Sequence, residues 1–399
     1  MAVHDDATTM SDELVALRRH LHQIPEIGFE LPQTQAAVLA ALAGLPLEII
    51  RGKDLTSVVA VLRGGRPGPL VLLRGDMDAL PVTERTGLDY ASTNGAMHAC
   101  GNDLHTAGLV GATRLLAARK DELAGDVLFM FQPGEEGQDG AAAMLREGLL
   151  DAAGRRPDAA YGLHVMAAGT TAGVFTGRPG PLMAASDEIN VRVVGAGGHG
   201  SAPHNCKDPI PVACEIVTAL QTAVTRQFDA FDPVVVTVGL LHAGTKRNVI
   251  PDDARIEGTV RTFTATAQDK IERVSMQVCE QIAAAHGLSV DAEYVRSYPV
   301  TVNDPDEHEF LADTVRDIFG ADRFEHADNQ HMGSEDFSRV LAEVPGAYVF
   351  LSTCATDDPR TAPYNHSSTA AFDDAWLPDG AALLAELAIR RMQRPGVDG

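Results

Sequence analysis

The chain has few cysteines, few aromatic residues and no long apolar run. Its 399 residues include five cysteines and one tryptophan, and aromatic residues make up 5%. Five scattered cysteines do not form a disulfide framework, so four of them are expected to be small buried apolar residues and Cys100 is the exception. No stretch approaches the roughly 20 uncharged apolar residues of a membrane-spanning helix. Disulfide-stabilised scaffolds and membrane-spanning proteins are therefore excluded.

Basic residues are also scarce. Lys and Arg number 32 against 55 for Asp and Glu, which gives a formal net charge of −23. Such a surface repels phosphate backbones and excludes nucleic acid as a partner, although a local arginine still permits a small anionic substrate. The first ten residues carry Asp5 and Asp6 and no apolar core, unlike a signal peptide. We therefore expect a soluble cytoplasmic protein.

The length and the order of apolar segments predict two domains. A helix is predicted from Ser11, its expected N-cap, to residue 20. Beyond it, short buried-strand patterns alternate with helical patterns, which predicts an α/β fold with a mostly parallel sheet. These segments are strands Val58–Leu62, Leu70–Leu73, Val127–Phe131 and Ala159–His164, and helices Leu104–Arg119 and Ala141–Leu149.

The pattern changes between about Asp187 and Ser297. Here the order is strand, helix, strand, strand, helix, strand, which is typical of a small split-βαβ sandwich. The first pattern resumes after Pro299, with helices near 306–319 and 335–343. Strand Ala347–Ser352 and a closing helix, Pro378–Arg394, complete it. We therefore predict one domain from residues 1–185 and 301–399, and an inserted domain at 186–300.

The first candidate cluster runs from Met97 to His105 and contains Cys100 and Asp103. A thiolate, a carboxylate and imidazoles packed this closely can hold a metal ion. The same residues are also consistent with a buried cysteine beside a helix start that Asp103 caps.

Two adjacent carboxylates, Glu135 and Glu136, follow the predicted strand Val127–Phe131. The carboxyl ends of parallel strands are where open α/β sheets place their sites. Because adjacent residues point in different directions, one glutamate can bind a metal while the other faces a water molecule. The alternative is a solvated acidic turn.

Two histidines complete the pattern. His164 ends the predicted strand Ala159–His164, and His366 lies far along the chain in Tyr364-Asn365-His366. Each alone is typical of a hydrogen-bonded core histidine. All the clusters, however, fall at strand ends or helix starts on one expected edge of one sheet, and a single shared site explains them better than separate structural roles.

With these motifs the chain resembles a family of metal-dependent amidohydrolases that includes hippurate hydrolases, auxin-conjugate hydrolases and bacterial N-acyl-amino-acid aminoacylases. The resemblance covers nearly the whole chain. It implies a zinc-peptidase-like α/β catalytic domain and an inserted ferredoxin-like lid domain that also forms homodimers. Its further motifs are Arg74–Pro81, Gly162–Val165, Gly197–His204, Asn248–Pro251, Gly258–Arg261 and Gly333–Phe337.

The resemblance also implies roles for individual residues. It makes Cys100, Glu136, His164 and His366 ligands of two divalent ions, with Zn²⁺ expected first and Mn²⁺ or Co²⁺ as alternatives. It makes Glu135 the general base and places Asp78 near the ions, where it orients a ligand. His199, from the lid of a partner subunit, is expected to stabilise the oxyanion. Asn248 and Arg261 are expected to bind the substrate carboxylate, for which an arginine offers a two-pronged donor.

One ligand position departs from the family. The family has a histidine where this chain has Asn102. An amide oxygen is a poorer zinc ligand than an imidazole, so one of the two metal positions is expected to be weakened.

The resulting hypothesis is hydrolysis of the amide bond of small N-acyl amino acids by a metal-activated water. One alternative is a catalytically impaired variant that binds acyl amino acids without cleaving them because of Asn102. Another is an amidohydrolase of dipeptides, carbamoyl amides or aryl amides, since the fold permits all of these.

Overall fold

The computed structural model describes residues 2–394. Within them the chain forms sixteen strands and eleven α-helices. The strands are β1 (Leu47–Arg51), β2 (Val58–Leu62), β3 (Arg66–Asp76), β4 (Ala124–Gln132), β5 (Ala159–Met166), β6 (Phe175–Gly177), β7 (Gly180–Met183), β8 (Ala185–Val194), β9 (Gly198–His199), β10 (Val235–Ala243), β11 (Val249–Ile250), β12 (Asp253–Thr262), β13 (Ser289–Tyr298), β14 (Thr301–Asn303), β15 (Phe324–His326) and β16 (Gly346–Ser352). The helices are α1 (Val3–Thr9), α2 (Ser11–Gln23), α3 (Pro32–Ala41), α4 (Asn102–Ala117), α5 (Glu135–Gln138), α6 (Gly140–Arg146), α7 (Pro209–Gln227), α8 (Ala265–Ala285), α9 (Pro305–Phe319), α10 (Ser338–Leu341) and α11 (Leu377–Arg391).

These elements belong to two compact units. Of the described residues, the first unit contains 2–182, Val302–Asn329 and 336–394, and the second contains Met183–Thr301 and Gln330–Glu335. The roles of residues 186–300 as a lid and as a dimerisation domain stay predictions.

The first unit is built on an eight-stranded sheet in the order β1-β2-β4-β3-β5-β16-β6-β15. Its four central strands, β4, β3, β5 and β16, are parallel to one another. Every residue of β2 and β16 is buried, as expected of strands covered on both faces. The predicted α/β fold with a mostly parallel sheet is confirmed, and the carboxyl ends of the central strands share one edge.

Helices α4 and α11 cover this sheet with small and apolar side chains. Fifteen of the sixteen residues of α4 are buried. Leu109 and Leu115 of α4 join Leu383 and Leu387 of α11 in one core cluster with the strands. Among residues 2–394, no helix combines the length and the apolar character that crossing a bilayer requires.

The second unit contains an antiparallel sheet in the order β10-β12-β8-β13, with α7 and α8 packed against it. Along β8, buried residues alternate with less buried ones, so Ile189, Val191 and Val193 reach the core. The main elements follow the order β8, α7, β10, β12, α8, β13. The predicted βαββαβ ferredoxin-like arrangement is therefore confirmed.

Two local predictions are wrong. Ser11 is not an N-cap, because a helix at Val3–Thr9 precedes it and Met10 takes the cap position without a side-chain bond. The helix expected over 335–343 shrinks to a single turn, Ser338–Leu341.

Candidate metal centre

Four of the sequence-predicted ligands lie together, from distant parts of the chain. The Cys100 Sγ atom is 3.3 Å from His164 Nε2 and 3.2 Å from His366 Nε2. His366 Nε2 lies 3.6 Å from Glu136 Oε2. Possible ligand atoms of Cys100, Glu136 and His366 all lie within 4.8 Å of one another. Sulfur, carboxylate and imidazole donors therefore converge on one point.

His164 is presented by the carboxyl end of β5. Its Nδ1 donates a hydrogen bond to the Val165 carbonyl oxygen at 2.7 Å. This bond requires the proton on Nδ1 and leaves the Nε2 lone pair facing the sulfur of Cys100. The ring thus has the tautomer that a metal ligand needs.

Cys100 comes immediately before the start of α4. Gly101, the N-cap of α4, has a φ of 89°, and a Cβ there would lie 2.3 Å from Val165 Cγ2. Only glycine tolerates this conformation and this close approach. Asp103 is not the N-cap residue, which is Gly101, but it lies in the first turn and its carboxylate accepts the Leu104 N–H at 3.1 Å. The same carboxylate contacts His22 at 2.7 Å and Arg18 at 2.8 Å.

Glu135 and Glu136 occupy a tight turn after β4. Gly134 has a φ of 76°, and a Cβ there would meet the Phe29 ring at 2.5 Å. The Asp78 carboxylate accepts hydrogen bonds from the backbone N–H groups of Glu135, at 2.9 Å, and of Glu136, at 3.0 Å. Because Glu135 is only 8% exposed, the alternative of a solvated acidic turn does not describe it.

Asn102 lies beside this turn. Its Nδ2 donates to the Asp78 carbonyl oxygen at 2.9 Å and lies 3.4 Å from Glu136 Oε1. Its Oδ1 is buried and has no hydrogen-bond partner within the described part of the chain. An unpaired buried acceptor next to a carboxylate is costly unless a donor or a cation satisfies it.

The electric field of the site favours a cation. Burial, and next the negative charges of Glu136 and Glu135, raise the pKa of the Cys100 thiol well above its ordinary value. Burial and the neighbouring Asp76 raise the pKa of Asp78 to about 7. A divalent cation among these groups would offset both effects.

A second set of residues supports the donors, and of these only His105 belongs to a cluster that the sequence analysis singled out as a candidate. Burial alone would raise the pKa of Asp76, but Arg74 and His105 hold that pKa well below its usual range. Asp76 contacts His105 Nδ1 at 2.8 Å, and His105 Nε2 accepts the Val165 N–H at 2.8 Å. In the sequence, the charged residues Arg74 and Asp76 follow directly after the predicted strand Leu70–Leu73, and this position indicated a charged end of the strand. Asn365 contacts the same region, and only its position beside His366 could have indicated it.

The remaining predicted residues belong to the second unit. His199 and Asn248 are neighbours there, because the Gly200 N–H donates to the Asn248 carbonyl oxygen at 2.9 Å. His199 Nδ1 lies 2.7 Å from Ser201 Oγ. Arg261 is on β12, where its guanidinium donates to the Val260 carbonyl oxygen at 3.0 Å and burial lowers its pKa. Their predicted roles toward a substrate stay predictions.

Comparison with known proteins gives consistent matches. The model of Peptidase family M20/M25/M40 matches residues 72–390. Thermostable carboxypeptidase 1 of Saccharolobus solfataricus is 36% identical over 392 residues, which is 97% of this chain and 97% of that protein. The N-acetyl-L-cysteine deacetylase of Bacillus subtilis is 39% identical over 356 residues, 88% of this chain and 83% of that protein. The crystal structure of the YXEP protein of Bacillus subtilis, described as a dinuclear metal binding peptidase, has a TM-score of 0.82 at 32% identity and covers 97% of this chain and 99% of that one.

Proposed function

Because the chain belongs to Peptidase family M20/M25/M40, we propose that it hydrolyses the amide bond of N-acyl amino acids. The chain is a metal-dependent hydrolase that acts on amides. The observation that supports the proposal is the convergence of Cys100, His164 and His366 beside Glu136, the neighbour in sequence of the buried Glu135. The likeness to an N-acetyl-L-cysteine deacetylase favours an acylated amino acid as the substrate.

The donor set fits divalent metal ions. A cysteine sulfur, a carboxylate and two imidazole nitrogens are the ligands that Zn²⁺ prefers, and Mn²⁺ or Co²⁺ are the alternatives. Cys100, Glu136, His164 and His366 would hold two ions. When bound, the ions would lower the pKa of a water molecule and polarise the substrate carbonyl.

We assign the proton transfers to Glu135. Its carboxylate takes a proton from the attacking water and returns it to the departing amine nitrogen, so that the proton count balances over the cycle. The Asp78 carboxylate accepts hydrogen bonds from the backbone N–H groups of Glu135 and Glu136, and these bonds hold the turn that carries Glu135. A carboxylate fixed in this way loses little freedom when the substrate binds.

For the residues of the second unit we propose roles toward the substrate. His199 donates to the developing oxyanion, and a homodimer would supply it from the partner chain. Arg261 and Asn248 bind the carboxylate of the amino acid, to which an arginine can donate two parallel hydrogen bonds.

Asn102 bears on how firmly the second ion is held. Its amide N–H groups point to Asp78 and Glu136 rather than offering a ring nitrogen. We therefore propose that one of the two metal positions has weak affinity and fills only at raised metal concentration. A catalytically impaired chain that mainly binds its ligand is the extreme form of this proposal.

A second candidate substrate is a short peptide cleaved at its C-terminal residue. The likeness to a thermostable carboxypeptidase favours it. Such a peptide and an N-acyl amino acid share a carboxylate next to the scissile amide, so the same residues would recognise both.

The test measures release of free amino acid from N-acetyl and N-benzoyl amino acids and from dipeptides, with Zn²⁺, Mn²⁺ or Co²⁺ added. For Glu135→Gln we expect a loss of turnover of about 100-fold or more with metal binding retained. The matched control is Glu147→Gln. In the wild type the Glu147 carboxylate also accepts hydrogen bonds from backbone N–H groups, those of Lys53 and Asp54. Full activity of Glu135→Gln would remove Glu135 from this role, and no hydrolysis of any substrate by the wild type would refute the proposed function.

A further inference from the structure

Asn365 lies beside His366, and its side chain contacts two other segments of the candidate centre. Its Oδ1 accepts a hydrogen bond from the Ala167 N–H at 2.9 Å. Its Nδ2 donates to the Cys100 carbonyl oxygen at 3.1 Å and to the Val165 carbonyl oxygen at 2.9 Å. One carboxamide thus joins Cys100, which carries the sulfur, to Val165 and Ala167, which follow His164 within three residues, and to the segment that carries His366.

The chemistry of its partners fixes the orientation of this amide. An N–H donor faces one end of the side chain, and two carbonyl oxygens face the other. Only an amide supplies an acceptor and two donors in this arrangement. The Nδ2 atom also lies 4.0 Å from Cys100 Sγ, so its N–H groups add positive potential near the sulfur.

The backbone next to Asn365 is strained. His366 has a φ of 71°, a left-handed conformation that is uncommon for a residue with a side chain. Such a residue keeps this conformation only where its surroundings determine it several times over. Here the His366 N–H donates to the Ala99 carbonyl oxygen at 2.8 Å. Asn365, the residue before His366, is itself fixed by the hydrogen bond from its side chain to the Cys100 carbonyl oxygen.

We propose that Asn365 is a positioning residue of the metal centre. Its carboxamide sets the spacing of the sulfur of Cys100 and the ring nitrogens of His164 and His366, and keeps His366 in its left-handed conformation. This inference rests on the proposed function, because it assigns Asn365 a role toward the same ions. Partners of this kind usually change metal affinity about 10- to 100-fold when they are lost.

The test measures binding of a single ion to the metal-free chain. Zn²⁺ affinity is measured against a competing chelator, and the absorption spectrum of bound Co²⁺ reports its sulfur ligand. Asn365→Leu keeps the size of the side chain and removes all its hydrogen bonds. Asn365→Asp keeps the shape and the acceptor but removes both donors, so the two variants share the lost donors and differ in charge.

Asn303 provides a matched control. It is a buried asparagine whose Nδ2 donates to the carbonyl oxygens of Arg178 and Tyr348 at 3.0 Å, and whose Oδ1 accepts the Tyr348 N–H at 2.7 Å. Its bonds have the same pattern as those of Asn365 but do not touch the donors. Asn303→Leu and Asn303→Asp therefore measure the general cost of losing a buried amide.

We expect both Asn365 variants to bind the first ion about 10- to 100-fold more weakly than the wild type, with an altered Co²⁺ spectrum. The Asn303 variants should lose thermal stability and keep the wild-type affinity and spectrum. Wild-type affinity in the Asn365 variants, or an equal loss of affinity in the Asn303 variants, would overturn the inference. A wild type that binds no ion would overturn the metal centre as well. A wild type that binds the ion but cleaves no acyl amino acid would refute only the proposed substrate.

Discussion

Among single residues, Asn102 departs most from what a two-ion centre requires. It is the first residue of α4, and its side-chain N–H groups face the Asp78 carbonyl oxygen and Glu136. Its Oδ1 is buried and has no hydrogen-bond partner among the described residues. An imidazole at this position would offer a lone pair in place of a donor. Substituting histidine for Asn102 supplies such a lone pair, so this variant tests how the residue at this position affects metal binding.

We expect Asn102→His to raise the affinity for a second ion by about tenfold or more, since even a residue that only supports a ligand changes affinity about 10- to 100-fold. The measurement is the metal content per chain after dialysis against buffers of decreasing free Zn²⁺. Asn102→Gln serves as the control, because it keeps the amide. If the wild type already holds two ions as firmly as Asn102→His does, Asn102 does not weaken the site.

A second residue, His308 on α9, is expected to make the free energy of unfolding depend on pH. It is 1% exposed, and within residues 2–394 neither ring nitrogen has a hydrogen-bond partner. Burial, and next the neighbouring His326, lower the pKa of His308 to about 4, with Arg316 acting in the same direction and Glu309 opposing. Between pH 6.5 and about 4 the unfolded chain therefore binds a proton that the folded chain does not.

This difference predicts that the free energy of unfolding falls as the pH drops from 6.5 to about 4. In His308→Phe, which keeps an apolar ring and cannot titrate, this fall should be smaller. Urea unfolding at several pH values measures it, and His20→Phe on the exposed side of α2 is the control. Parallel curves for the wild type and His308→Phe would contradict the prediction.

The sequence indicated the candidate ligands, whose metal-binding role stays a prediction, but it gave little indication of the residues that support them. Cys100, Glu136, His164 and His366 carry side chains whose chemistry indicates a metal site, and they converge. Asn365 is a common residue in a polar stretch. Its significance comes from contacts with residues about 200 and more positions away, and no local pattern encodes such contacts.

At the scale of elements, the turn from Cys100 into α4 depends on the absence of a side chain at Gly101. Gly101 and Gly95 both have a φ of 89°, but a Cβ at Gly95 would meet nothing within 4 Å, whereas one at Gly101 would clash with Val165 and Phe372. The two positions share the conformational cost of alanine, about 1–2 kcal/mol. They differ in steric cost.

We expect Gly101→Ala to lower the free energy of unfolding by about 1–3 kcal/mol more than Gly95→Ala does, because overpacking adds to the conformational cost. Gly101→Ala should also weaken metal binding, since the clash displaces the strand that carries His164. Thermal unfolding and chelator competition measure the two effects. Equal losses in the two variants would show that the space around Gly101 is not limiting.

The accuracy of the predicted elements follows the strength of their patterns. Val58–Leu62 is a continuous apolar run, and the strand has these same bounds. Leu47–Arg51 was missed because its apolar residues neither form a continuous run nor alternate regularly with polar ones, and four of its five residues are exposed at the edge of the sheet. Pro32–Ala41 was missed because its apolar residues do not lie on one face of the helix.

At the scale of the whole molecule, the change of pattern near residue 187 was sufficient to predict a second folding unit. That unit has its own core, formed by residues such as Ile189, Ile216 and Ile271. How copies of the chain associate cannot be predicted from a single sequence. Exposed apolar residues are common on any protein surface, so they do not by themselves identify an interface. The predicted homodimer therefore needs a direct test.

Strand β10 provides that test. It lies at the edge of the antiparallel sheet, and Leu240 and Leu241 on it are 41% and 47% exposed. An open apolar edge is a template for pairing with another chain.

We expect the wild type to sediment at twice the mass of one chain. Leu241→Lys should sediment as a monomer with an unchanged far-UV spectrum, because a charge on this edge opposes pairing. Ile50→Lys is the matched control, since Ile50 is 43% exposed on β1 at the edge of the larger sheet. If Leu241→Lys stays dimeric, or if Ile50→Lys dissociates equally, the pairing does not involve β10. If only Leu241→Lys dissociates, its activity then tests whether the partner's His199 is needed for hydrolysis.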